Sequence, residues 1–410
     1  MTARRGGVAA VLLGLVAAAC SDAEQIAPSS TTTNSSGTGG SGTTTGDGGT
    51  GGAFLHPWLS DAKILVSGQS AATTDCRTGI CRHNENTDLT VWNGAIYLVH
   101  RTAMSQVLGP NSSLRISRST DGGKSFVLLA TLPAVMDRDL RDPHFFTVGN
   151  ALHLEALARL PVLSEKDSNV DTIPLGTSST DGVTWTDLAP IGPNGWSYWR
   201  PQQRQGTWYS AAYADGDTQV ALFSSTDGVH WTQGPTVYAV SEDTPLETEL
   251  TFMPSGKLLA LVRMDGTEAE LLGEQGRLRT KICWADPPYD KAFDCPAEIT
   301  GQRLDGPLSF FHGGRLFVVA RKHLGKDGRK RTALFELTGD LEGGGALSIT
   351  EHGELPSAGD TAYAGAAAID ANRTLLTWYS GNLEKDEGWV FGMLDVTDVW
   401  QATVDFSKLK

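Results

Sequence analysis

The stretch Leu246–Arg263, reading LETELTFMPSGKLLALVR, sets a carboxylate and a guanidinium at the two ends of one hairpin. Glu247 precedes an apolar strand, Pro254-Ser255-Gly256 supplies a turn, and a second apolar strand ends on Arg263. Both charges then lie near the open end of the hairpin, a placement that suits a site better than a core. Other arginines recur in comparable places. Arg82 (CRHNEN), Arg141 (LRDPHF) and Arg200 (YWRPQ) stand in short polar clusters ahead of apolar runs, and Arg321, like Arg263, ends such a run in LFVVAR. Guanidiniums gathered on one pocket need an anion, and a carboxylated ligand supplies one through paired hydrogen bonds. For any single arginine an ordinary ion pair is the alternative, and Glu247 could equally serve Arg263 or Arg200.

Other chemistries find little support. Neither G-x-S-x-G nor H-E-x-x-H occurs, and His83, His144, His153 and His312 are scattered, so no metal and no cofactor is expected. A formal net charge of -14 argues against nucleic acid, which needs a basic face. The basic run Lys322–Arg331 reads as a solvated hairpin tip.

The elements that must position these residues are strands. Beyond Ala53, short runs rich in Val, Ile, Leu, Phe, Tyr and Trp alternate with Asn-Gly, Asp-Gly and Gly-Asn, and no long stretch keeps a helical period. The chain also repeats: STDGGKSF at Ser119–Phe126, STDGVTW at Ser179–Trp185 and STDGVHW at Ser225–Trp231. Asp121, Asp181 and Asp227 can cap their turns while the glycine takes a positive φ, which makes them fold markers rather than chemistry. Six units of roughly 50 residues lie between about Asn86 and Trp400, the size of a four-stranded propeller blade. The expected fold is an all-β six-bladed β-propeller over residues 54–410, with each unit's polar opening cluster facing the channel.

Residues 1–20 read as an export signal: Arg4 and Arg5, a short apolar run, then Ala17-Ala18-Ala19 before Cys20. This resembles a bacterial lipoprotein signal, which would place a lipid on Cys20. Residues 21–53, mostly Ser, Thr and Gly, form a tether with nothing to bury. The expectation is an exported, monomeric protein anchored by its N-terminal lipid at the bacterial outer membrane or cell surface. In that compartment Cys76 with Cys81, and Cys283 with Cys295, each close a local disulfide.

The three repeated turns resemble the Asp-box hairpins, S-x-D-x-G-x-x-W, of the sialidase superfamily, whose fold is a six-bladed propeller. In that superfamily three arginines clamp the substrate carboxylate, a tyrosine is the nucleophile, a glutamate activates it and an aspartate is the acid/base. The stretch from Glu247 to Arg263 is similar to the family's glutamate, hairpin and second arginine. GDTAYAGAAAI is similar to the segment of the nucleophile, which assigns that role to Tyr363. Arg82 and Arg321 match the first and third arginines, with Arg303 as competitor to Arg321, and Arg141, Arg200 and His144 complete the binding set. One position departs from the pattern. The interval His100–Ser117, where the family keeps its aspartate, holds no Asp or Glu, so the acid falls to Asp142 or Asp88, with Glu85 and Asp139 as further candidates. The resemblance implies an exo-glycosidase of acidic glycans. The missing aspartate favours the alternative, a glycan-binding propeller without turnover.

Overall fold

The computed structural model describes residues 56–60, 62–107, 109, 111–160, 172–214, 219–240, 244–265, 278–325, 328–343 and 346–409. The export signal, Cys20 and the tether lie outside the described residues. Among the described residues no helix is long and apolar enough to cross a membrane.

The fold is an all-β propeller. Among the described residues the strands form four sheets of four or five strands and one of eight, not the six separate sheets expected. The eight-stranded sheet runs Thr361–Ala368, Arg373–Gly381, Thr397–Asp405, His83–Trp92, Ala95–Ala103, Ser113–Ser119, Val127–Pro133, with Lys63–Val66 added on Thr397–Asp405. Two antiparallel halves meet in its middle through one parallel pairing, His83 with Thr397. The first and last strands of the propeller therefore join in this sheet. The other sheets begin at Asp139–Val148, at Trp196–Tyr198, at Pro245–Phe252 and at Asp305–His312.

Each sheet begins with a strand on the channel, and these strands neighbour one another in a ring. His83–Trp92 lies against Asp139–Val148 and Thr361–Ala368. Asp305–His312 lies against Thr361–Ala368 and Pro245–Phe252. The first three strands of most sheets are buried almost throughout, as in Leu258–Met264, whereas outer strands such as Asp294–Thr300 alternate between exposed and partly or fully buried positions. Core clusters fill the wedges between adjacent sheets, for example Leu114, Leu140, Leu154 and Leu175.

Local sequence explains the turns. Asn93-Gly94, Gln205-Gly206 and Gly313-Gly314 all have both residues at positive φ, which the two-residue hairpin turns matching strand twist require. In the three repeated turns a serine hydroxyl accepts the glycine N–H, at 2.9 Å for Ser119 with Gly123, 2.8 Å for Ser179 with Gly182 and 2.9 Å for Ser225 with Gly228. The aspartate then accepts the next backbone N–H groups, at 2.8 and 2.7 Å for Asp181 and 2.9 and 2.8 Å for Asp227. Among the described residues two disulfides are present, Cys76–Cys81 and Cys283–Cys295.

Candidate active site

The channel strands do not run straight. Pairing with the second strand slips once in five of them: between Glu85 and Asp88, Arg141 and His144, Pro245 and Thr248, Asp305 and Leu308, and Ala362 and Gly365. The remaining one is broken outright between Tyr198 and Gln202, around Arg200 and Pro201. A bulge inserts a residue and re-aims its side chain, and proline within a sheet is tolerated there. Asn86, Asp142, Gly306 and Tyr363 all sit in these irregularities with φ between 46° and 54°. For the three non-glycine residues that conformation costs on the order of 1–3 kcal/mol each. Strain is thus gathered at one level of the channel, and the residues there keep a little exposure: Asn86 and Asp142 7 % each, Tyr363 9 %.

At that level the Tyr363 hydroxyl donates a short hydrogen bond to Glu247 Oε1. Arg263 Nη1 donates to both oxygens of the same carboxylate, each at 2.8 Å, and so fixes its plane. Burial first, and the Glu247 charge second, push the Tyr363 pKa well above the usual tyrosine value, so the phenol is neutral at rest. Arg321 lies over the Tyr363 ring at 5.4 Å and the Trp199 ring meets it edge-on at 5.5 Å. Gly306 makes room for the ring, because a Cβ there would stand 3.0 Å from Tyr363 Cδ2 and Cε2.

Asp142 is the other titratable group at this level. Burial, then the nearby Glu247 charge, push its pKa up to about 7, and Asn86 Nδ2 donates to its Oδ1. A carboxyl that is substantially protonated at neutral pH can give a proton as well as take one. Asp88 has a different setting. It receives Arg200 Nη1 and, at 2.8 Å, the Phe145 N–H, which ties two channel strands together. Glu249, two residues beyond Glu247, is likewise engaged, by Ser309 N at 2.9 Å and Trp199 Nε1 at 3.2 Å.

The expected arginines separate into two groups. Arg263 and Arg321 flank Tyr363 and are buried. Arg82 stands apart, its side chain 42 % exposed and bonded to Asp395 at 3.0 Å. Arg141 bonds Asp139 at 2.6 Å. Arg200 spans the channel from Asp88 to the Ala364 carbonyl. Arg303 lies against Asp305, not at the phenol. His144 is buried with its ring against Trp199, and burial, with the Arg200 charge, holds its pKa well below the usual value. Arg101 was missed by sequence reasoning. It ends the second strand of its unit in LVHR, as Arg263 and Arg321 end theirs, and that recurrence was the available signal. It is fully buried between Glu85 and Asp139, the latter at 2.8 Å from both Nε and Nη2.

Every one of these buried guanidiniums meets carboxylates of the chain itself. Arg263 reaches Glu247, Asp265 at 2.6 Å and Asp305 at 3.4 Å. Arg321 donates to Asp360 Oδ1 at 3.0 Å, the Tyr379 hydroxyl at 2.9 Å and the Thr361 carbonyl at 2.7 Å. Asp265, Asp305 and Asp360 were not anticipated. They sit in polar interruptions, MDG, RLDG and GDT, that a buried strand would otherwise lack.

No protein-family model and no curated protein matches the sequence. Solved structures do. A Trypanosoma rangeli sialidase in complex with sialic acid superposes with a TM-score of 0.60 at 13 % identity, covering 87 % of this chain and 60 % of that one. The NanB sialidase of Streptococcus pneumoniae gives 0.58 at 10 % identity, over 85 % of this chain and 71 % of that one. A Penicillium chrysogenum α-L-arabinanase complexed with arabinobiose gives 0.57 at 15 % identity, over 86 % and 100 %. The fold is therefore shared with propeller glycoside hydrolases.

Proposed function

We propose that this protein is a retaining exo-glycosidase whose nucleophile is Tyr363. The observation that carries the reading is the buried hydrogen bond from the Tyr363 hydroxyl to a Glu247 carboxylate oriented by Arg263. Phenol is a weak nucleophile, and a carboxylate in contact can take its proton as attack develops. In the first step the Tyr363 oxygen bonds to the anomeric carbon, Glu247 accepts the phenolic proton, and Asp142 gives its proton to the departing glycosidic oxygen. In the second, Asp142 takes a proton from water, which displaces Tyr363, and Glu247 returns the proton to the phenol. Tyrosine is the known departure from the two-carboxylate scheme of glycosidases. We read the eight-stranded sheet as two blades that share an edge pairing, which gives six blades in all.

The substrate is an acidic glycan on this reading. A neutral phenol approaches an anionic anomeric centre without the repulsion a carboxylate nucleophile would meet. Arg263 and Arg321 flank that phenol and would exchange an internal carboxylate for that of the sugar. A second reading, an uncharged glycan, is favoured by the carboxylates already on each buried guanidinium and by the arabinobiose bound to the arabinanase. The test is a panel of fluorogenic sialosides, glycuronides and neutral glycosides with wild type, Tyr363→Phe and Glu247→Gln. Turnover confined to acidic glycosides and lost in both variants supports the first reading. Turnover of neutral glycosides supports the second. Glycan binding without turnover, unchanged in both variants, makes the protein a lectin-like propeller and ends the enzymatic reading. Lipid anchoring through Cys20 at the cell surface is proposed with it, and is checked by metabolic labelling with a palmitate analogue and its loss in Cys20→Ala.

A further inference from the structure

We infer a divalent metal site built from His83, Glu85 and Asp360. His83 Nδ1 lies 2.8 Å from the Asp395 carbonyl, which only accepts, so Nδ1 carries the ring proton. Nε2 is then the atom turned inward, and it faces two carboxylate oxygens, Glu85 Oε2 at 3.3 Å and Asp360 Oδ2 at 3.7 Å. All three side chains are buried, and Asp360 Oδ2 accepts no hydrogen bond.

Nε2 lies within hydrogen-bond reach of Glu85 Oε2, whereas Asp360 Oδ2 accepts none. Charge-assisted hydrogen bonds run about 2.7–2.9 Å, and one N–H cannot point at both oxygens. A cation can. Bonds of about 2.0–2.2 Å to nitrogen and oxygen place tetrahedral neighbours roughly 3.3–3.6 Å apart, and the three atoms lie within 4.8 Å of one another. One imidazole with two carboxylates fits an ion of the zinc or manganese class rather than the all-oxygen cages of calcium. The outer oxygens are held as metal-ligating carboxylates usually are. Asp360 Oδ1 receives Arg321, Tyr379 OH and Trp389 Nε1, while Glu85 Oε1 receives Arg101.

The ligands come from both ends of the ring. His83 and Glu85 open the first channel strand, Asp360 precedes the last one, and a single backbone pairing joins those two halves. The ion would clasp the closure of the propeller beside the strand that carries Tyr363. The inference stands whether or not the protein turns over a glycan.

The test uses the full chain, stripped with a chelator and titrated with Mn²⁺ or Zn²⁺. Bound metal is read by mass spectrometry and thermal stability by calorimetry. One ion per chain, a midpoint that rises with free metal, and uptake weakened at least about tenfold by His83→Ala, Glu85→Gln and Asp360→Asn support the site. Because an aspartate variant could misfold, the Mn²⁺ spin-resonance spectrum of wild type is compared with that of Glu85→Gln. A stripped wild type that takes up no ion overturns the inference, as does stoichiometric uptake that all three substitutions leave intact.

Discussion

The proton on Tyr363 decides what this channel can do. Its pKa is raised by burial and by Glu247, so on the proposed mechanism the phenol would attack only if Glu247 accepted that proton as the bond formed. We expect Tyr363→Phe and Glu247→Gln each to lower kcat/KM by about 10²–10⁴, measured on whichever glycoside proves to be a substrate, with folding checked by circular dichroism. Asp142 predicts a pH dependence. As the proposed proton donor, with a pKa of about 7, it would lose its proton as pH rises, so kcat/KM should fall above neutrality and Asp142→Asn should abolish that limb. Its folded pKa lies above its unfolded one, so the folded state holds the extra proton between about pH 4 and pH 7. Stability due to this group is therefore present at acid pH and falls as pH rises through that window. Asp142→Asn cannot ionise and should gain on wild type on the order of a few kcal/mol at most between pH 5 and pH 8, read from urea melts. An unchanged difference between those two pH values would show that Asp142 does not titrate there.

At the scale of the element, a regular strand would bury these side chains between sheets or alternate them past one another. The bulges set Asn86, Asp142, Glu247 and Tyr363 into the channel at one level instead. Gly306 is the bulge residue with no side chain, and its vacancy is what the Tyr363 ring occupies. Gly306→Ala should therefore displace the ring and lower kcat by about 10²-fold, at a stability cost of about 1 kcal/mol or more from the positive φ. The repeated turns make the opposite prediction. Asp227→Ala removes the acceptor of two backbone N–H groups at a solvent-facing turn, which should cost about 1 kcal/mol of stability and leave kcat/KM unchanged. A large loss of activity in that variant would move this aspartate from fold to chemistry.

At the scale of the whole molecule, closure is the weak point. The first and last halves of the eight-stranded sheet share one backbone pairing, reinforced by side chains such as Thr397, whose hydroxyl accepts from Asn84 N at 2.7 Å. Lys63–Val66 adds a strand to the same half from the N-terminal side, so chain from before the first unit helps complete the last. The Cys283–Cys295 disulfide ties the third and fourth strands of one sheet across a sequence separation of 12. Replacing both cysteines with serine should cost about 3 kcal/mol by loop-closure entropy, seen as a lower denaturation midpoint under non-reducing conditions. The same double variant should leave the Tyr363–Glu247 pair and kcat untouched, since the bridge joins the third and fourth strands of its sheet, away from the channel strand.

The sequence by itself determined the strands, the turns and the members of the pair at the centre. Hydrophobic runs cut by Asn-Gly and Asp-Gly specify hairpins because turn geometry is local, and the three STDG turns close on their own side chains. Glu247 and Tyr363, 116 residues apart, are paired in the sequence only by the family resemblance and by no local signal. Their contact depends on how the sheets arrange around the channel, which no local pattern encodes. The same holds for the arginines. Arg82 and Arg321 are matched to the first and third arginines by resemblance alike, yet the Arg82 side chain is 42 % exposed while Arg321 is buried against the Tyr363 ring, because burial is set by neighbouring sheets. The sequence leaves the acid open among Asp142, Asp88, Glu85 and Asp139. The tertiary structure gives them different surroundings, with Arg101 on Glu85 and Asp139, Arg200 on Asp88, and Asp142 near the charge of Glu247.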